Sequence, residues 1–379
     1  MTTLTISQLE TPALLLEHGR MQKNIARMRE QLARLNVYFR PHVKTAKCIE
    51  AALAMSAGAP GPITVSTLRE ADYFADHGYT DILYAVGITP NKMGHVSALL
   101  KRGVDLTVIL DSIDGARALV EAAKASPMTI KVLIEIDCDG HRAGILPESP
   151  LLLEVAQVLA AGRVTLAGVM THAGGSYECR SDEALRAMAE QERARTVLAA
   201  ERLRAAGHAA PVVSVGSTPT ALFAQDLSGV TEVRAGVFVF FDLVMAGLGV
   251  CAVDDIAVSV LTTVIGHQQD KGWTMVDAGW MAMSRDRGTA AQPIDQGFGL
   301  VCDADGNAMP DVIMISANQE HGIIAHRNGT AGAALNLPVG SQLRILPNHA
   351  CATAAQHARY HVLEGTPTVT AVWERISGW

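Results

Sequence analysis

No apolar run in this 379-residue chain reaches the length of a membrane span. The opening Met1-Thr2-Thr3-Leu4-Thr5 lacks a basic region followed by an apolar one, so no secretory leader is expected and the cytoplasm is the expected location. Positive charge is in deficit. A net charge of -7 argues against nucleic acid or an anionic membrane as a partner. Cysteine is sparse, six residues scattered along the whole length, which reads as reduced thiols in a cytosolic protein. No internal repeat, low-complexity tract or disordered linker is visible. What is present is a chain 49% apolar and 18% charged, enough for a large core and too long for one ordinary domain.

Short β-branched or apolar runs recur, each followed by a helical stretch. They are Val37 to Phe39, Ile63 to Ser66, Ile82 to Val86, Leu106 to Leu110, Ile130 to Ile136, Val164 to Thr171, Val212 to Val215 and Val230 to Arg234. Strands alternating with helices predict a parallel sheet. Eight of them predict an α/β fold of the closed (β/α)8 TIM-type barrel kind. An open doubly wound sheet is the alternative, but no Gly-x-Gly-x-x-Gly turn follows the first strand. After residue 247 the helical patterns fade and short strands with turns take over, at Val258 to Ile265, Thr274 to Val276, Val312 to Ile315, Gln342 to Ile345 and Thr368 to Val372. Asp270-Lys271-Gly272 and Asp305-Gly306-Asn307 read as turns. The expected organisation is a barrel over 17–246 and a second, mainly β domain over 247–379, joined by an N-terminal strand within 1–16.

Barrels of this kind hold their chemistry at the strand C-termini. Lys44, in Arg40-Pro41-His42-Val43-Lys44-Thr45, follows the first strand. By position alone it is either a solvated charge or a reactive amine. After the fifth strand, Arg142 lies between Gly140 and Gly144, placed to hold an anionic oxygen or to serve an ordinary turn. After the sixth, His172 adjoins Gly174 and Gly175, which allow a ligand close approach, although a packed histidine reads the same way. After the seventh comes Gly216-Ser217-Thr218-Pro219-Thr220, whose hydroxyls and N–H groups at a helix start suit phosphate. A plain N-cap accounts for one of those hydroxyls, not three. A phosphate cradle late in the barrel and a lysine early in it suggest pyridoxal 5'-phosphate bound as a Schiff base.

These stretches, with Thr171-His172-Ala173-Gly174, Asp277-Ala278-Gly279, Glu320-His321-Gly322 and Pro347-Asn348-His349-Ala350-Cys351, occur in one order along the chain. In that run the sequence resembles the fold-type III, alanine-racemase-like pyridoxal-phosphate enzymes, within the D-serine dehydratase and D-threonine aldolase group. The resemblance implies that Lys44 forms the Schiff base and is the base at the substrate Cα. Lys47 is a decoy, expected in the following helix. Arg142 would hold the cofactor's phenolic oxygen, and His172 would stack on its ring. Gly216, Ser217, Thr218 and the N–H groups of Gly236 and Val237 would take the phosphate, with Tyr177 lining the site. Arg234 matches a racemase arginine that pairs with the ring nitrogen, a role the dehydratases do not share in the same form. A homodimer is implied, the β domain of one subunit closing the partner's barrel.

His349 and Cys351 stand two apart. In a strand such residues face the same side, so imidazole and thiolate can converge on one ion, a pair that suits zinc; manganese, cobalt and magnesium are the other metals considered. By resemblance the aldolases usually carry aspartate where this chain has Cys351, so cysteine favours a dehydratase. Gln319 and His321 are candidates to support the metal or to serve structure. The resemblance implies a lyase converting a D-3-hydroxy amino acid, D-threo-3-hydroxyaspartate and also D-serine, to a 2-oxo acid and ammonia. The alternatives are a retro-aldolase of the same substrates and, in another class, a non-catalytic pyridoxal-phosphate carrier. A β-carboxylate on the substrate needs a cation, and His141, Arg142, Arg285 and Arg287 are the candidates, the last two alternatively paired with Asp286.

Overall fold

The computed structural model describes residues 4–124, 128–328 and 334–379. The opening Met1-Thr2-Thr3 read above lies outside the described residues. A strand β1 (Ala13–Glu17) leads into a helix over His18–Arg34. Eight strands then follow, each but the last leading into a helix: β2 (Tyr38–Pro41), β3 (Ile63–Val65), β4 (Asp81–Gly87), β5 (Asp105–Leu110), β6 (Ile130–Ile136), β7 (Val164–Thr171), β8 (Val212–Val215) and β9 (Glu232–Ala235). All their pairings are parallel, in the order β2-β9-β8-β7-β6-β5-β4-β3. The ends meet. A bridge between His42 and Thr64, with Val43 N–H donating to Thr64 O at 3.0 Å, brings β2 to β3 and closes the barrel.

The expected eight strands are all there, within about two residues at each end. Valine, isoleucine and leucine fill them because a parallel sheet is covered on both faces. Leu83, Ile109, Leu133 and Met170, from β4 to β7, pack into one buried cluster with Ala167. Pro41 is the last residue of β2, two beyond the expected Phe39, and an isolated bridge follows at His42.

The C-terminal unit contains β10 (Val258–Gln268), β11 (Trp273–Val276), β12 (Leu300–Cys302), β13 (Ala308–Ala317), β14 (Gly322–His326), β15 (Gln342–Leu346), β16 (Arg359–Leu363) and β17 (Val369–Glu374). Six of them close in the order β10-β11-β14-β13-β12-β15. A bulge between Val264 and Gly266 interrupts the pairing of β10 with β11. β10 pairs with β1 and β15 up to Thr263 and with β11 from Val264 onward. β1, β16 and β17 extend the sheet from β10. β12, β14 and β16 were not among the predicted strands.

The chain divides into two compact units, Arg27–Gly236 with the last two residues, and Met1–Ala26 with Val237–Ser377. The expected boundaries at 16/17 and 246/247 differ for reasons visible in the bonding. Arg20 and Asn24 donate to the carbonyls of Ile256 and Asp255, which ties the first turns of the helix to the β unit. Leu243 and Val244 N–H groups donate to Pro347 and Asn348, so the helix Leu243–Gly247 belongs there too.

Two glycine substitutions test the packing. Gly168, at φ +148°, runs so close to Val212 that an added Cβ would overlap the backbone carbonyl of β8. Gly168→Ala is expected to lower stability by more than about 2 kcal/mol in denaturant unfolding. Gly94, in the helix Met93–Lys101 with open space around it, is the opposite case. Gly94→Ala is expected to raise stability by up to about 1 kcal/mol.

Candidate active site

At the end of β2 the chain makes a tight turn rather than entering a helix, because Lys47 takes a left-handed conformation at φ +47°. The turn leaves Lys44 exposed. Lys47 was expected in the following helix; that helix begins only at Ile49, and Lys47 is committed elsewhere. Its Nζ lies 3.0 Å from the buried Glu70 carboxylate. Between the strand and Lys44, His42 has its Nδ1 3.5 Å from the Lys44 N–H. Burial, and then the positive charges of Lys44 and Arg234, drive the His42 pKa well below the usual imidazole value.

His172 follows β7 and its Nδ1 meets the carbonyl of Gly216, after β8, at 3.0 Å. Burial brings its pKa down to about 3 against that hydrogen bond, helped by Lys44, Arg142 and Arg234. The ring is therefore neutral. Tyr177 stands 6.3 Å from it, centroid to centroid. Gly216 has φ +140°, and an added Cβ would overlap the backbone of Arg234 in β9. Only glycine fits there.

Ser217 caps the short helix Thr218–Phe223 by accepting from Thr220 N–H at 3.2 Å, while Thr220 Oγ1 accepts from Ser217 N–H at 3.1 Å. Capping thus uses two hydroxyls where one was expected. Ser217 Oγ also lies 2.9 Å from Ser176 Oγ. Thr218 is buried beside them, and Gly236 and Val237 follow β9 directly.

Arg234 is buried in the barrel wall, with Nε donating to Ser214 Oγ at 2.8 Å and Nη2 to the carbonyl of Thr171. Arg142, largely exposed, reaches Glu135 at 3.4 Å. Burial pushes the Glu135 carboxyl up, with Arg142 opposing.

In the β unit, His349 and Cys351 are not on a strand. His349 is the extended N-cap of the helix Ala350–Ala354, and Cys351 lies in its first turn. They still converge, the imidazole lying within hydrogen-bond reach of the Cys351 side chain. His349 Nδ1 meets Asp286 Oδ2 at 2.6 Å. Burial alone would lower the His349 pKa; Cys351, Asp286 and Asp242 outweigh it and push it up to about 11.

The surrounding loop is tightly held. Asp242 accepts from Ala350 N–H at 2.9 Å and Met245 N–H at 3.0 Å. Asn348 donates to the carbonyls of Gly297 and Asp286, at 2.7 and 3.2 Å. Ser284, at φ +76°, accepts from Asp286 N–H at 3.2 Å. Asp286 is thus a partner of His349 and not of an arginine: Arg287 pairs with Asp295 at 2.7 Å, and Arg285 lies over Trp280 at 4.9 Å. Gln319 and His321 are exposed in the β13–β14 connection.

Asp242 and Glu192 escaped the sequence reading, and Asp286 was read only as a partner for Arg285 and Arg287. Their partners lie 63, 108, 19 and 24 residues away for the bonds of Asp286, of Asp242 and of Glu192 to Ala173 and Gly216. No local pattern signals such pairs. Glu192 alone leaves a trace, as an acid among the buried positions Leu185, Ala189, Thr196, Ala199 and Leu203 of its helix.

The donor sets fit the groups expected from the sequence. A neutral imidazole, buried hydroxyls at a helix start and an exposed amine, all at strand C-termini of one barrel, suit a flat phosphorylated aldehyde. Imidazole and thiol in contact, with a carboxylate fixing the ring, suit a borderline-soft cation. Among the described residues no group of three or more His, Cys, Asp and Glu is placed to hold a metal, so the pair stands alone. Among them, too, no helix is long and apolar enough to cross a membrane.

Residues 17–244 match the family described as "Alanine racemase, N-terminal domain", and residues 257–363 match the "Putative serine dehydratase domain". The chain is 54% identical over 378 residues to D-threo-3-hydroxyaspartate dehydratase of Delftia sp. (strain HT23), covering 99% of each. It is 32% identical over 398 residues to D-serine dehydratase of Dictyostelium discoideum, covering 99% of this chain and 98% of that one. Two solved structures of D-threo-3-hydroxyaspartate dehydratase are similar at 53% identity. A histidine-to-alanine mutant has a TM-score of 0.97 over 100% of this chain and 97% of its own. A cysteine-to-alanine mutant in the metal-free form has a TM-score of 0.96 over 99% and 100%. With matches that run almost end to end, the chain belongs to the alanine racemase N-terminal domain family, in the branch that carries a serine dehydratase domain after the barrel.

Proposed function

We propose that this protein is a pyridoxal-phosphate- and divalent-metal-dependent ammonia-lyase for D-3-hydroxy amino acids, D-threo-3-hydroxyaspartate foremost and D-serine also, acting as a cytoplasmic homodimer. The observation that carries the reading is the imidazole–thiol pair of His349 and Cys351, held by Asp286. A carrier has no use for a metal pair. The similar hydroxyaspartate dehydratase supports it as well: its two mutants replace a histidine and a cysteine two positions apart, and one is a metal-free form. His349-Ala350-Cys351 is the one His-x-Cys in this sequence.

Pyridoxal phosphate supplies a sink for the electrons of a Cα carbanion, and a divalent metal, zinc in the first place, supplies Lewis acidity at the departing β-hydroxyl. The chain's own residues do the rest. Lys44 anchors the cofactor and then, as a free amine, takes the proton from Cα. His172 offers a neutral ring to stack on, since its pKa of about 3 leaves it uncharged at working pH. Ser217 and Thr218, with Gly216 and the N–H groups of Gly236 and Val237, hold the phosphate, Arg142 holds the phenolic oxygen, and Tyr177 lines the site. Asp286, bonded to Nδ1, would fix the His349 tautomer and leave Nε2 to hold the metal. Arg234 is engaged with Ser214 and Thr171, which supports a wall role over a ring-nitrogen partner.

Three outcomes test this. Lys44→Ala is expected to lose both the visible absorption of the lysine-bound cofactor and all turnover. Lys47→Ala is expected to keep both while losing about 3 kcal/mol of stability, because Glu70 is left buried without its partner. A borohydride-trappable adduct in the Lys44→Ala protein would refute the assignment.

Chelation, or His349→Ala, is expected to stop ammonia release yet leave cofactor absorption intact. Asp286→Asn is expected to weaken metal affinity by about 10–100-fold, measured by competition with a chromogenic chelator. Native-rate elimination by the chelated protein would remove the metal from the mechanism.

The substrate is tested by supplying D-threo-3-hydroxyaspartate and D-serine together at equal concentration. The first is expected to be consumed faster, because the loop that carries Asp286 also presents Arg285, a cation available to a β-carboxylate. Ammonia with a 2-oxo acid supports the dehydratase, and glycine with an aldehyde would make it an aldolase.

A further inference from the structure

Glu192 lies in the helix Asp182–Ala205, away from every motif named above, and its side chain is 2% exposed. One oxygen, Oε1, accepts from the N–H of Ala173 at 3.0 Å and from the N–H of Gly216 at 3.0 Å. The carboxylate also accepts from the Thr220 hydroxyl. Ala173 follows His172, and Gly216 precedes Ser217. The Gly216 carbonyl, moreover, is the group that the His172 ring bonds. The two loops that follow β7 and β8 are therefore gripped twice: ring to carbonyl, and two N–H groups to one buried oxygen.

A buried acid at a position of the helix that otherwise packs apolar or small side chains is costly unless its donors repay it. Burial pushes the Glu192 carboxyl up, and the bonds from Thr220, Ala173 and Gly216, with Arg234 nearby, work against that. A leucine would fill the space without the cost. Neither loop would then have an acceptor for its inner N–H, and the spacing between the His172 ring and the Ser217 turn would rest on a single hydrogen bond.

We propose that Glu192 is the positioning residue of the phosphate cradle, fixing the Ser217 turn and the His172 ring at one separation so that a phosphorylated pyridine ring fits both. This rests on the pyridoxal-phosphate reading above. The grip acts through the loops and touches no cofactor atom, so its effect falls on how well the cradle tells a phosphorylated ligand from an unphosphorylated one. A merely structural acid would instead change stability and leave that discrimination alone.

The test is titration of the full-length apoprotein with pyridoxal phosphate and with pyridoxal, following the visible band, in the native chain, Glu192→Gln and Glu192→Asp. Aspartate keeps the charge but draws the oxygen back by one methylene. Glu192→Asp is expected to weaken pyridoxal phosphate by about tenfold, the loss when two N–H groups lose one acceptor, and pyridoxal by less than about threefold. Glu192→Gln keeps an oxygen for both N–H groups and is expected to stay within about threefold for each. An unchanged preference for the phosphorylated ligand in folded Glu192→Asp would overturn the proposal. If Glu192→Asp does not fold, Thr220→Val decides, since it removes one of the carboxylate's donors; a native preference there would overturn it equally. Absence of the band in the native chain is a different result, and would count against the cofactor reading itself.

Discussion

The backbone contact between Gly216 and Arg234 is the constraint on which the barrel's candidate site depends. Two parallel strands, β8 and β9, come so close at this point that no side chain fits between them. The chain must then leave β8 with a positive φ, and the turn presents its carbonyl to His172 and its N–H to Glu192. Ser217 and Thr220 cap the next helix reciprocally. One backbone approach thus sets a ring, a carboxylate and a pair of hydroxyls. This is why the residues of the site come from separate strands and yet form one bonded set.

Much of this was legible in the sequence, and the reason is period. The eight barrel strands are short apolar runs between amphipathic helices, and both faces of such strands are covered, so composition alone marks them. β12, β14 and β16 were missed for the opposite reason. Arg359-Tyr360-His361-Val362-Leu363 mixes a charge and a histidine into its pattern, and Leu300-Val301-Cys302 is too short to show one. Such strands exist because neighbours pair with them. Gly322 to His326 lies between β11 and β13, and that pairing, not propensity, makes it a strand.

The site shows the same split. Motif residues could be named one by one, but their conformations and partners could not. Lys47 departs from the helix expected for it because a left-handed turn and a buried carboxylate claim it. His349 and Cys351 converge through a helix cap instead of strand alternation. The Asp286 carboxylate, expected as a possible partner of two arginines, goes to an imidazole 63 residues on. In each case the deciding partner is distant in sequence, and local spacing carries no information about it.

Two histidines of the chain make the electrostatic logic plain. Both lose water to burial, which by itself favours the neutral ring. Around His172 the charges are Lys44, Arg142 and Arg234, and its partner is a carbonyl; the ring stays neutral. Around His349 they are the side chains of Cys351, Asp286 and Asp242, which raise its pKa against that burial. A neutral flat ring is what stacking on an aromatic cofactor asks for. At His349 surplus negative charge would favour a divalent cation, whose binding would need the imidazole unprotonated. Burial and nearby cations leave one imidazole neutral, while acidic neighbours outweigh the same burial at the other.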